Sequence, residues 1–225
     1  MITRENQTKE KHMSYQTIYF DLDGTLTDSG PGIMHAVAYA MQALGRPVPD
    51  RREMARYIGP PLHRSFQEYA GMDEATANQA VEQFRVYYHR QGKFENRPYP
   101  GIPALLARLQ AQGKTLAVAT SKPEVTAVEI LEHFDLARYF AFIAGATMDS
   151  SRVAKAMVLA YALEKGGRDR AVMVGDRLHD VQGARENGLP CIGVLYGYGS
   201  RRELEEAGAD RVASTVAELG RILEE

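Results

Sequence analysis

Thr17-Ile18-Tyr19-Phe20-Asp21-Leu22-Asp23-Gly24-Thr25 is the stretch around which the chain organises. Its four leading β-branched and aromatic residues show no in–out alternation, so they read as a strand covered on both faces. The run ends on two aspartates two residues apart, with Gly24 permitting a tight turn behind them. In an open α/β sheet, ligands bind beyond the carboxyl ends of the strands. If the extended backbone persists to residue 23, both carboxylates reach one site. Such a pair can hold a hard divalent cation, supply a nucleophile, or divide acid and base work.

Similar apolar runs recur at Thr115–Ala119, Phe140–Ala144, Ala171–Val174 and Cys191–Leu195, with a weaker sixth at Asp210–Ala213. Helical patterns fit between them. Ile102–Gln112 has Pro103 near its start and Gly113 after its end. Glu124–Phe134 and Val153–Glu164 follow, and Asp180–Asn187 is stopped by Gly188. Thr215 and Glu218 have capping-box spacing and open a last helix. This β-α alternation implies an α/β fold with a doubly wound, mostly parallel sheet.

Residues 29–96 break the rhythm. They contain no convincing strand and read as helices over Ile33–Leu44, Arg51–Ile58, Leu62–Ala70, Asp73–Phe84 and Arg85–Gly92. An insert of this kind forms its own layer, a helical cap over the strand ends, with hinges near Asp28–Gly30 and Asn96–Gly101. The expected division is a core of 15–28 plus 97–225, a cap of 29–96, and a polar leader of 1–14. That leader reads as disordered or as a cloning remnant.

The 27 basic and 29 acidic residues give a net charge of −2, which offers no electrostatic case for nucleic acid or an anionic membrane. No apolar run is long enough for a membrane span. The one cysteine, Cys191, can make neither an internal disulfide nor a zinc site, so a cytoplasmic location is expected. It reads as a small buried residue.

More chemistry gathers at the other strand ends. Thr120-Ser121-Lys122 closes the second strand and opens a helix, which makes an anion site of hydroxyls and main-chain N–H groups. Gly175-Asp176 closes the fourth strand, and Asp180 follows four residues later. Lys155 stands at the start of a helix, where the dipole does not favour a cation. Each has a plainer reading taken alone: an aspartate or serine caps a helix, and a lysine is solvated. Together, two acidic pairs, a hydroxyl and a lysine match phosphoryl transfer to a carboxylate.

Phe20-Asp21-Leu22-Asp23-Gly24-Thr25-Leu26-Thr27-Asp28-Ser29 resembles the first motif of the haloacid dehalogenase superfamily. Thr120, Lys155 and Gly175-Asp176 with Asp180 resemble its other motifs, in the same order. Gly59-Pro60-Pro61-Leu62, Tyr99-Pro100-Gly101 and Thr120-Ser121-Lys122-Pro123 resemble the phosphoglycolate-phosphatase-like members, whose cap is of the helical C1 type. The resemblance spans about residues 17–220 and implies a Rossmann-like core. It implies Asp21 as nucleophile, Asp23 as general acid and then base, and Lys155 as a charge partner. It further implies Mg²⁺ on the Asp21 carboxylate, the Asp23 main-chain carbonyl, Asp176 and Asp180. Thr120, Ser121 and Gly24 would hold the phosphate. The expected activity is hydrolysis of a small phosphate ester of the phosphoglycolate or nucleotide type through an aspartyl-phosphate. A phosphomutase of the β-phosphoglucomutase type and a non-catalytic phosphate-binding regulator are the alternatives. The superfamily's true dehalogenases lack an aspartate two residues after the nucleophile, so Asp23 favours a phosphatase.

Arg64, after the cap Gly-Pro-Pro-Leu stretch, is a candidate for a second anionic group on the substrate, with a solvated helix arginine as the alternative. His35, His63, His89, His133 and His179 show no ligand spacing. Tyr87, Tyr88 and Phe94 read as packing. Tyr196-Gly197-Tyr198-Gly199-Ser200 reads as the rim of the site or as a flexible loop. Monomer and homodimer are both compatible with the sequence.

Overall fold

Among the residues that the computed structural model describes, 14–149 and 151–225, six strands form one parallel sheet. The expected leader, residue 14 apart, lies outside them. The strands are β1 (Thr17–Phe20), β2 (Thr115–Pro123), β3 (Phe142–Ala146), β4 (Ala171–Gly175), β5 (Cys191–Val194) and β6 (Arg211–Ala213), in the order β3-β2-β1-β4-β5-β6.

The apolar runs sort between two faces by their period of two. Ile18, Phe20, Leu116, Val118, Val172 and Val174 point into one core layer. Helices α5 (Ile102–Ala111), α6 (Glu124–His133) and α10 (Val216–Glu224) cover that side. Tyr19, Ala117, Ala119 and Met173 point to the other, beneath α7 (Lys155–Gly166), α8 (Leu178–Glu186) and α9 (Arg201–Ala207). Both faces are covered, as the lack of alternation requires.

Between β1 and β2 the chain forms α1 (Gly30–Ala43), the short α2 (Arg51–Met54), α3 (Leu62–Ala70) and α4 (Glu74–Arg90) before reaching α5. These first four helices bury a layer of their own around Ile33, Val37, Tyr57, Phe66, Val81 and Phe84. They are the cap helices. The chain leaves and re-enters the sheet side by side: Asp28 N–H donates to the Arg97 carbonyl at 2.8 Å, and Tyr99 N–H to Leu26 O at 3.1 Å.

Several elements differ from expectation. Strand β2 runs on through Thr120, Ser121 and Lys122 to Pro123, so these residues do not open the helix, which starts at Glu124. The helix expected over Arg51–Ile58 is the short α2 followed by a 3₁₀ turn over Ala55–Tyr57. Helix α4 is continuous where two helices were expected, because Ala77, Ala80, Val81, Phe84 and Tyr88 make one buried stripe that runs past Arg85. Strand β3 pairs from Phe142 rather than from residue 140, because a 3₁₀ turn over Ala137–Tyr139 comes first. Phe140 then packs edge-on against Phe20 at 6.3 Å. Helix α9 has one buried residue, Leu204, and so shows no apolar period. It is held by the Ser200 cap and by Arg201–Glu205 and Arg202–Glu206 pairs.

Candidate active site

The strand order reverses between β1 and β4, and ligands bind at such a switch point. Phe20 pairs with Val174 across that boundary, so Asp21 and Asp176 emerge side by side. Asp180, in the first turn of α8, turns back toward them. One oxygen of each carboxylate lies within 4.8 Å of the others, and all three residues are buried. Asp180 also caps its own helix, since Oδ2 accepts the Arg177 N–H at 3.0 Å. Gly24 has a φ of +82°, and a Cβ there would collide with the Asp176 carboxylate. Its role is to let backbone pass close to a charged group.

Lys155 enters this group from the N-terminus of α7. Its Nζ lies 2.6 Å from Asp21 Oδ1 and 2.9 Å from Asp180 Oδ1, and donates to the Ala119 carbonyl at 2.9 Å. Burial opposes the ammonium charge, but Asp180 and Asp21 outweigh it and hold Lys155 above its ordinary value. Three carboxylates therefore face one ammonium. Burial lifts Asp21 to about 6 despite the pull of Lys155. Burial, then Asp180 and Asp21, drives Asp176 well above the usual carboxylate range. Beyond the Lys155 ion pairs, Asp21 Oδ1 and Asp180 Oδ1 have no hydrogen-bond partner among the described residues. A dry, all-oxygen, net-negative donor set fits a hard divalent cation.

Asp23 turns away from the other three. Its Oδ2 pairs with Lys122 Nζ at 2.9 Å, while Oδ1 is buried without a hydrogen-bond partner. The same ammonium donates to the Tyr88 hydroxyl of α4 at 2.7 Å. Burial opposes the Lys122 charge, but Asp23 and then Tyr88 raise it above its ordinary value. Thr120 is buried and accepts the Lys122 N–H on Oγ1 at 3.2 Å.

Between sheet and cap lies a cavity of about 220 Å³ that Asp23, Ser121 and Lys122 line from the core. Tyr57, Phe84, Arg85, Tyr88 and His89 line it from the cap. Arg64 is not brought there. It is largely exposed beside Glu68, at 3.6 Å, because α3 turns Ser65 and Phe66 inward. From the far side Arg177 donates to the Ile58 carbonyl of the cap and to Glu203 at 2.8 Å.

Residues 18–194 match the haloacid dehalogenase-like hydrolase family. The chain belongs to that family. It is 42% identical to a 5'-nucleotidase of Pseudomonas aeruginosa over 218 residues, 96% of this chain and 99% of that one. It is equally identical, over 210 residues, to the tyrosine-protein kinase PtkA of Mycobacterium tuberculosis, covering 92% of this chain and 72% of that one. The crystal structure of a predicted phosphatase from Clostridium acetobutylicum superposes with a TM-score of 0.89 at 46% identity, covering 93% of this chain and 98% of that one. Phosphoglycolate phosphatases stand among the further relatives.

In this haloacid dehalogenase-like hydrolase, the motif residues Asp21, Asp176, Asp180 and Lys155 meet, and Asp23 lines the neighbouring cavity. Lys122 and Tyr88 are contacts that the sequence reading passed over. A lysine inside an otherwise uncharged strand end was the available signal for the first. Tyr88 reads as packing on its own helix, and it also fills that role against Phe84 at 5.2 Å. Among the described residues, no helix is long and apolar enough to cross a membrane.

Proposed function

We propose that the protein is a Mg²⁺-dependent phosphomonoester hydrolase that works through an aspartyl-phosphate on Asp21. The observation that carries this is the split of the β1 carboxylates. Asp21 faces the cation-ready group and Lys155, whereas Asp23 faces the cavity where a leaving group fits. Asp21, Asp176, Asp180 and the Asp23 main-chain carbonyl would hold the ion. When bound, it supplies positive charge that offsets the phosphate and the carboxylates.

The side-chain chemistry follows. An Asp21 oxygen attacks phosphorus as the ester P–O bond breaks. Asp23 acts as the general acid that supplies a proton to the departing alkoxide. Asp23, now a carboxylate, takes a proton from water, whose oxygen attacks phosphorus and frees Asp21 and inorganic phosphate. Thr120 and the N–H groups after it steady the phosphate oxygens, and Lys155 balances charge on Asp21. The cap excludes bulk water.

The cavity favours a leaving group that is flat and uncharged, of the nucleoside type, over glycolate. Tyr57, Phe84 and Tyr88 make part of its lining aromatic. Both permanent cations of the lining are paired, Arg85 with Glu82 at 2.9 Å and Lys122 with Asp23. Burial, then Lys93, lowers His89 below its ordinary value, which disfavours its charged form. A glycolate carboxylate would find no unpaired permanent cation there.

The test is phosphate release across nucleoside monophosphates, sugar phosphates and phosphoglycolate, with Mg²⁺ or EDTA, and D21N as the blank. A Mg²⁺-dependent signal absent from D21N supports the mechanism. Turnover by D21N at the wild-type rate overturns it. Preference for phosphoglycolate over nucleotides overturns the leaving-group reading.

A further inference from the structure

The loop after β5 carries Tyr196-Gly197-Tyr198-Gly199, which the hydrolytic scheme leaves unused. Tyr198 touches the cation-ready group and the root of the cap at once. Its main-chain N–H donates to Asp176 Oδ2 at 2.8 Å. Its hydroxyl donates to Asp28 Oδ1 at 2.6 Å and accepts the Gly30 N–H at 2.6 Å. Gly30 is the first residue of α1. Asp28 Oδ2 pairs with Arg97 Nη2 at 3.2 Å. Through Asp28, both chain crossings between sheet and cap are tied to this one hydroxyl.

The loop is packed too tightly to move independently of Asp176. A Cβ on Gly197 would stand 2.5 Å from Asp176 Cβ, and one on Gly199 would collide with the Asp176 carbonyl oxygen. Asp176 shares its pocket with Asp21 and Asp180. Three carboxyl groups that share one ammonium, on Asp21 and Asp180, meet different surroundings when a divalent cation lies among them. A ligand shifts an equilibrium when it interacts differently with the two arrangements. Here the carboxylate whose surroundings change is bonded to the residue that anchors the cap.

We propose that Tyr198 is a positioning residue that couples cation occupancy at Asp176 to the seating of the cap, through Asp28 and Gly30. The proposal rests on the reading of the three carboxylates as a divalent-cation site. Because coupling is reciprocal, a seated cap also favours the cation.

The experiment follows hydrogen exchange of the full chain with and without Mg²⁺, alongside calorimetry of Mg²⁺ binding, for wild type, Y198F and D28A. In wild type, Mg²⁺ slows exchange in peptides spanning 28–34 and 95–99. Y198F keeps the main-chain donor to Asp176, so it still binds Mg²⁺, but those peptides lose their response to the ion. Its KM rises roughly fivefold, the scale of one lost hydrogen bond, with kcat little changed. D28A removes the acceptor from the other side and gives the same loss, and the double variant is no worse than either single one. The readout is the response to Mg²⁺, because the baseline changes with the hydroxyl alone. If Y198F fails to fold, D28A carries the test. A wild-type response in the folded variants overturns the coupling. If wild type binds Mg²⁺ and its cap peptides do not respond, the coupling fails and the cation site stands. If wild type takes up no Mg²⁺, both fail.

Discussion

Asp23 Oδ2 and Lys122 Nζ lie 2.9 Å apart with both side chains nearly sealed from water. Removing one member of a buried pair leaves the other uncompensated, at about 3–5 kcal/mol. K122M should lower unfolding stability by that amount in denaturant titration. D23L/K122M should recover much of it, because both charges then leave together. A K122M protein as stable as wild type would show that the pair is solvated in solution.

Divalent cation should stabilise the fold. At a hundred times its Kd, a ligand that binds only the folded state adds about 2.7 kcal/mol. Thermal unfolding at neutral pH should therefore shift upward with Mg²⁺ in wild type. The shift should shrink or vanish in D176N, which removes one of the three converging carboxylates.

Asp21 sets a pH dependence in the metal-free protein. Burial lifts it from 3.8 to about 6 in the folded state. Between those values the folded chain holds a proton that the unfolded chain has released. The contribution of this group is complete below the lower value and is lost as pH rises through the upper one. In EDTA, wild type should lose stability relative to D21N over that window. Parallel melting curves for the two would show that Asp21 titrates normally.

Cap substitutions should separate by where they point. R64A should leave kcat and KM unchanged, because Arg64 faces solvent beside Glu68. F84A removes a ring from the cavity wall and should raise KM for nucleotides more than it lowers kcat. It also opens a hole in the cap's buried layer and should cost about 3–5 kcal/mol. A changed KM in R64A would place that guanidinium in the cleft after all.

The sheet and its acidic corner were legible because they obey local rules. Uniformly apolar strands must be covered on both faces, and a run that stops on Asp21 or Asp176 places that carboxylate at the strand end. Lys155 announced itself by standing where a helix dipole repels it. Arg64 stayed open between cleft and solvent because Gly-Pro-Pro-Leu gives no information on which face of α3 turns inward, and Phe66 decides that. Lys122–Tyr88 and Tyr198–Asp28 span 34 and 170 positions of chain. The first exists only once the cap has come to rest on the sheet, the second only once the loop after β5 has folded back onto the end of β1, and no periodicity encodes either. Ser121 lines the cavity from within β2, not from the start of a helix.

The side-by-side departure and return of the chain at Asp28 and Arg97 has an evolutionary consequence. The hydrogen bonds of the sheet do not depend on what lies between those two points. A whole layer of helices can be lengthened, trimmed or exchanged for another while the corner that performs the chemistry keeps its register. A chimaera spliced at these two positions is the natural unit in which to ask whether substrate preference moves with the cap.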